Sequence, residues 1–201
     1  DSAIWIGTKG NGLYILTPTP RGSYETRRLS RGAGTLYSDS IYDIAFGPDG
    51  RAWLGSYGNG IAVGTRRAEG WRFTMPTGQP AGMKVRNIHP TRDGLLVIGT
   101  ADGLVTTDAP RSATPTYCLN RYSTRPDGLR GNDVMGVMES HGRYYICVYG
   151  DGICRIESGS LLSDTLRFSR FPLPPAAGDG EIKGTVSHGD DLWVVSDGAL
   201  T

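Results

Sequence analysis

Good helix formers are scarce in this 201-residue chain: three Lys stand against 18 Arg, and five Glu against 15 Asp. Lys and Glu favour helices, whereas Asp and Gly favour turns, so the shortage argues against a helical protein. Cysteine is limited to Cys118, Cys147 and Cys154, too few for a disulfide framework. Cys147 and Cys154 flank Gly150-Asp151-Gly152 and could face each other across a hairpin. A directly opposed pair is often strained, however, and two small buried hydrophobes are the simpler expectation. No apolar run approaches the roughly 18 residues of a membrane span. The chain opens at Asp1 without the charged and apolar regions of a signal peptide, as expected of a mature segment or a cut piece. Net charge is +1 and no basic stripe stands out, which excludes a polyanion-binding field and leaves no nucleic-acid partner in prospect. Arg27-Arg28 and Arg66-Arg67 read as solvated faces.

Glycine and proline are plentiful, at 30 and 12, and the glycines punctuate a phrase that recurs five times. The copies run Ile4-Trp5-Ile6-Gly7-Thr8, Ala52-Trp53-Leu54-Gly55-Ser56, Leu96-Val97-Ile98-Gly99-Thr100, Tyr144-Tyr145-Ile146-Cys147-Val148 and Leu192-Trp193-Val194-Val195-Ser196. Aligned on residues 5, 53, 97, 145 and 193, they are spaced by 48, 44, 48 and 48. A period of roughly 40–50 residues indicates stacked structural units.

The second unit shows the plan. A first strand spans 41–46, a turn Pro48-Asp49-Gly50, a second strand 51–56, a turn Gly58-Asn59-Gly60, a third strand 61–64 and a fourth 71–74. Four antiparallel strands followed by a link make one blade of a β-propeller. The fold class is therefore all-β, a propeller of four-stranded antiparallel blades. The units divide as a partial blade 1–33, blades 34–80, 81–126 and 127–176, and a partial blade 177–201. Five second strands against four each of the first, third and fourth suggest an open arc of about four blades within a larger propeller. Second strands such as Ile4-Trp5-Ile6 and Trp193-Val194-Val195 are apolar throughout, as expected of strands covered on both faces. The large residue of each phrase would lie between blades, and Gly7, Gly55 and Gly99 would leave room for a neighbour's bulk.

The run from Gly34-Thr35-Leu36-Tyr37-Ser38-Asp39-Ser40-Ile41 through Asp49-Gly50-Arg51-Ala52-Trp53-Leu54-Gly55-Ser56 to Gly58-Asn59-Gly60-Ile61 resembles the two-component regulator propeller repeat. So does Asp127-Gly128-Leu129-Arg130-Gly131-Asn132-Asp133-Val134. The resemblance implies a non-catalytic, periplasmic sensor region of an inner-membrane hybrid two-component receptor, a type common in gut Bacteroidetes and responsive to glycan breakdown products. It implies that a full-length protein carries a histidine kinase domain. It transfers no catalytic or ligand residue, because the repeat motif is structural. A propeller lyase or glycosidase, or a structural interaction module, is the alternative.

Chemistry is hard to find in the residues themselves. His141 and His188 sit in equivalent hairpin turns, and neither has a second His or Cys nearby in sequence, so no metal and no cofactor are expected. No Gly-x-Ser-x-Gly elbow appears, and Asp190-Asp191 reads as turn chemistry. The Gly-Asn-Gly and Gly-Asp-Gly runs lie between strands, not before a helix, and read as hairpins rather than phosphate loops. Binding candidates come from the face where the lead-in to the first strand and the turn between second and third strands converge. That face would gather Tyr37, Asp39, Tyr57, Asn59, Asp102, Arg130, Asn132, Asp133, Tyr149 and Asp151. Aromatics beside Asp, Asn and Arg suit an oligosaccharide, with ring faces to stack and fixed hydrogen-bond partners. Further blades of the same receptor and a homodimer are the expected protein partners.

Overall fold

In the computed structural model, the described residues are 2–172, 182–189, 191–196 and 199–200. They form 18 strands, and no helix occurs among them. The strands build five separate antiparallel sheets. The first holds β1 (Ile4–Gly7), β2 (Leu13–Pro18) and β3 (Tyr24–Leu29). Three complete four-stranded sheets follow. They are β4 (Ile41–Phe46) to β7 (Gly70–Thr74) with β5 (Ala52–Ser56) and β6 (Gly60–Arg67) between; β8 (Val85–Pro90), β9 (Leu96–Thr100), β10 (Gly103–Thr107) and β11 (Tyr117–Asn120); and β12 (Val134–Ser140), β13 (Arg143–Val148), β14 (Gly152–Ile156) and β15 (Phe168–Phe171). The last holds β16 (Ile182–His188), β17 (Asp191–Ser196) and β18 (Ala199–Leu200). The sequence suggested four third strands; β18 makes a fifth, because Ala199 and Leu200 pair back onto Ser196 and Val195. Asp190, Asp197, Gly198 and the 176/177 boundary lie outside the described residues.

Apolar clusters lie between successive sheets, so the core is a series of seams. Leu13 and Leu29 of the first sheet meet Ile41, Leu54 and Phe73 of the second. Trp53 and Ile61 meet Val85, Ile88 and Leu96 of the third. Val97 and Leu104 meet Val134, Val137 and Ile146 of the fourth, and Met138 and Cys147 meet Ile182 and Val194 of the fifth. Trp5 packs edge-on against Phe46, Trp71 and Phe73 at 5.1, 4.9 and 6.3 Å between ring centroids. Such pairs add about 0.5–1.5 kcal/mol beyond their buried area.

The seam glycines do what their position suggested. A Cβ on Gly7 would stand 2.9 Å from Ile41 Cγ2, on Gly55 2.5 Å from Val85 Cγ1, and on Gly99 2.6 Å from the Val134 carbonyl oxygen. Each neighbour is the opening residue of the next sheet's first strand.

Two expectations are corrected. Every residue of β5 and β9 is buried, but Ile4-Trp5-Ile6 and Trp193-Val194-Val195 are covered on one face only. Ile4 and Ile6 are 47% and 45% exposed, and Trp193 and Val195 44% and 43%, because among the described residues their sheets have a neighbour on one side alone. Nor do Cys147 and Cys154 face each other. Cys147 pairs with Ile153 and Cys154 with Ile146, so adjacent positions turn the two thiols to opposite faces of the sheet. Cys147 joins the seam toward the fifth sheet and Cys154 the seam toward the third. Burial pushes their thiols up to about 12 and about 11, which keeps them protonated and inert.

Candidate functional site

The lead-in segments and the second–third turns do meet on one face, and backbone hydrogen bonds clamp them there. Gly10 and Gly12 donate to the Asp39 carbonyl at 2.9 and 2.8 Å, Gly58 and Gly60 to that of Met83 at 3.2 and 3.0 Å, and Gly103 to that of Asn132 at 2.7 Å. Each turn is thus fixed by the lead-in of the next sheet. Tyr57 also bridges to Lys84 in this way.

The first strands add a feature that alternation does not reveal. Their register slips by one residue against the second strand at Ile41/Asp43, Val85/Asn87, Val134/Gly136 and Ile182/Gly184. Each slip is a β-bulge with an extra residue, at Tyr42, Arg86, Met135 and Lys183 in turn. A bulge bends its strand and re-aims a side chain. Here it sends Tyr42 onto Tyr57, with centroids 5.1 Å apart and ring planes at 28°. Arg86 places its guanidinium carbon 5.3 Å from the Tyr57 centroid, and Lys84 its ammonium 5.4 Å away. Arg86 is held in place by a forked pair to Asp133, Nε to Oδ1 at 3.1 Å and Nη2 to Oδ2 at 3.2 Å.

Beside Lys84 a cleft of about 350 Å³ opens between Pro80, Met83, Leu119 and the Asp102–Arg121 pair. Arg121 Nε donates to Asp102 Oδ1 at 3.2 Å, and that hydrogen bond lowers the Asp102 pKa from its ordinary value. The outcome is an exposed aromatic pair flanked by two cations, next to a cleft with an apolar wall.

The sequence-derived residues divide accordingly. Tyr57, Asp102 and Asp133 converge around Lys84 and Arg86. Tyr37 and Asn59 share a small groove of about 10 Å³ over Ile41 and Leu54. Asp39 braces the backbone, accepting from the Arg31 N–H at 2.7 Å, and Asn132 Oδ1 accepts from the Tyr122 N–H at 2.6 Å. Arg130 and Asp151 act on the Cys154 thiol with opposite signs, and Asp151 Oδ2 is buried without a hydrogen-bond partner among the described residues. Tyr149 is 45% exposed, and the ring partner of Tyr57 is Tyr42. Sequence reading missed Tyr42, Lys84, Arg86 and Arg121. Comparing the copies position by position would have marked Tyr42 and Arg86, since Tyr, Arg, Met and Lys occupy one place in four repeats.

Of the histidines, His141 and His188 are exposed, His141 in its turn at φ 49° and His188 at the end of β16. His89 is at the opposite end of its sheet from Lys84, with Nε2 3.1 Å from Glu139 Oε2. No group of three or more metal-ligating side chains occurs among the described residues.

The stacked four-stranded sheets with bulged first strands define the chain as a β-propeller protein. No protein-family model matches it, and no curated protein matches it in sequence. Solved structures do. A chain described as the extracellular domain of a hybrid two-component system of B. thetaiotaomicron matches with TM-score 0.68 and 19% identity, over 98% of this chain and 25% of the other. Virginiamycin B lyase of Staphylococcus aureus matches with TM-score 0.61 and 17% identity, over 98% and 60%. PorZ, a surface component of the type-IX secretion system of Porphyromonas gingivalis, matches with TM-score 0.68 and 15% identity, over 96% and 30%. The likeness is one of fold, and this chain spans between a quarter and three fifths of those proteins.

Proposed function

We propose that this chain is a non-catalytic segment of an extracytoplasmic sensor propeller belonging to a two-component receptor in the inner membrane, and that it binds an oligosaccharide at the Tyr42–Tyr57 face. The observation that carries the reading is the exposed tyrosine pair with Lys84 and Arg86 beside it. Aromatic faces and edges with charged hydrogen-bond donors are what sugar recognition needs. Further blades of the same receptor would cover Ile4 and Ile6 at one side, and Trp193 and Val195 at the other. Ligand binding would act by favouring one arrangement of the assembly and so shifting a kinase equilibrium. The fold shared with a two-component receptor domain supports the role. A lyase shares the fold as well, and His89 stands beside Glu139 with Nε2 3.1 Å from Oε2; a catalytic reading would rest on those two residues.

The test is calorimetric titration with oligosaccharide fragments, repeated on Tyr42→Ala and Tyr57→Ala. Each variant is expected to bind about tenfold more weakly, the equivalent of roughly 1.4 kcal/mol. Affinity unchanged in both variants, or no binding of any oligosaccharide, refutes the platform. A turnover that depends on His89 would favour the lyase-type alternative.

A further inference from the structure

The opposite end of the sheets carries a larger opening, a cleft of about 550 Å³ between the third and fourth blades. Its walls come from the β8–β9 and β12–β13 turns and from the segments that follow β10 and β14. Volumes of roughly 300–1,000 Å³ are typical of small-molecule sites. Leu95, Ile156 and Leu161 supply an apolar side, and Arg111, Arg143 and Ser158 supply donors.

The polar groups there are unbalanced. The carboxylates are already engaged: Glu157 accepts from Arg155 Nε at 2.7 Å and from the Ser169 hydroxyl, and Asp93 Oδ1 accepts from the Thr91 hydroxyl at 2.5 Å. The donors are not used up. Arg111 spends one N–H on the Asp93 carbonyl at 3.1 Å. Ser158 Oγ accepts from the Arg167 N–H at 2.8 Å, and among the described residues its own proton has no acceptor. Among the described residues no hydrogen bond or ion pair holds the Arg143 guanidinium, although Glu157 feels its charge. Burial, with Glu139 and Asp93 nearby, pushes the Tyr144 phenol up to about 12, so it adds no negative charge to the cleft.

Unused guanidinium and hydroxyl donors beside an apolar wall call for an anionic acceptor. We propose that this cleft is a second ligand site, which takes a small ligand bearing a carboxylate or sulfate held by Arg111 and Arg143, with its body against Leu95 and Leu161. This site is independent of the Tyr42–Tyr57 face.

The probes are glucuronate, inorganic sulfate and neutral glucose, titrated into the 201-residue chain and followed by calorimetry and by amide shifts. Anion binding is expected to move the Gly142 and Gly159 amides rather than those of Gly58 and Gly103, to weaken with added salt, and to fall about tenfold in Arg111→Gln and in Arg143→Gln. Circular dichroism verifies that both variants fold, and Lys in place of Arg143 should restore part of the binding. Tighter glucuronate than sulfate assigns the cleft to an acidic sugar, and the reverse to a sulfate group. Glucose binding as well as glucuronate, anion binding indifferent to both substitutions, or shifts confined to Gly58 and Gly103 would overturn the proposal. So would the absence of binding by either anion.

Discussion

Asp43 links two blades through one carboxylate. Its Oδ2 accepts the Ile88 N–H at 2.6 Å and the Asn87 side-chain amide at 3.2 Å. Asn87 repeats the device one blade on, accepting the Val137 N–H at 2.9 Å. Both residues directly follow a bulge, so they steady the strand that aims Tyr42 and Arg86. The carboxylate has a cost as well. Burial raises the Asp43 pKa, and the hydrogen bonds from Ile88, Ile44 and Asn87 only partly offset it. The folded chain therefore keeps that proton to higher pH than the unfolded chain does. The Asp43 contribution to stability is complete below the ordinary carboxylate value and is lost as pH rises through the raised one. Asp43→Asn cannot titrate. Urea unfolding across the mildly acidic range should show the native protein gaining on this variant as pH falls; parallel profiles would contradict the assignment.

At the scale of the element, the second strand is the part of each blade that neighbours bury. Trp53 is 1% exposed on β5, whereas Trp193 holds the same place on β17 and is 44% exposed. Truncation should separate them. Trp53→Ala is expected to cost about 3–5 kcal/mol, because it removes a packed ring and leaves a cavity. Trp193→Ala should cost about 1 kcal/mol or less. Equal midpoints in denaturant for the two variants would mean that the seam is not where the stability lies. The contrast between the two tryptophans was not legible in the phrase, since both copies read as apolar at every position. Burial depends on whether a sheet packs against the next one, and that is not a property of the strand. The seam glycines were legible, because a Gly two positions after a bulky residue has few other uses in a buried strand. The bulged residues were hidden: a first strand with one extra residue still reads as a strand, and only its partner's register shows the slip.

For the molecule as a whole, each sheet touches its neighbours and little else, so stability is expected to be the sum of sheets and seams. Hydrogen exchange should follow the number of covered faces. Peptides across β9, buried at every residue, should exchange more slowly than those across β1 or β17, where every second position is exposed. Uniform protection would instead indicate one cooperative unit. The sequence alone determined the repeat, the blade plan, the hairpin turns and the face on which the loops gather. Those follow from contacts within about one period of chain, where apolar patterning and turn chemistry leave few options. Only the tertiary structure decided which side chains meet there. Tyr57 with Arg86, Arg86 with Asp133 and His89 with Glu139 are encounters between separate blades. They depend on a one-residue slip in each first strand and on how adjacent sheets stack, and neither leaves a mark on local sequence.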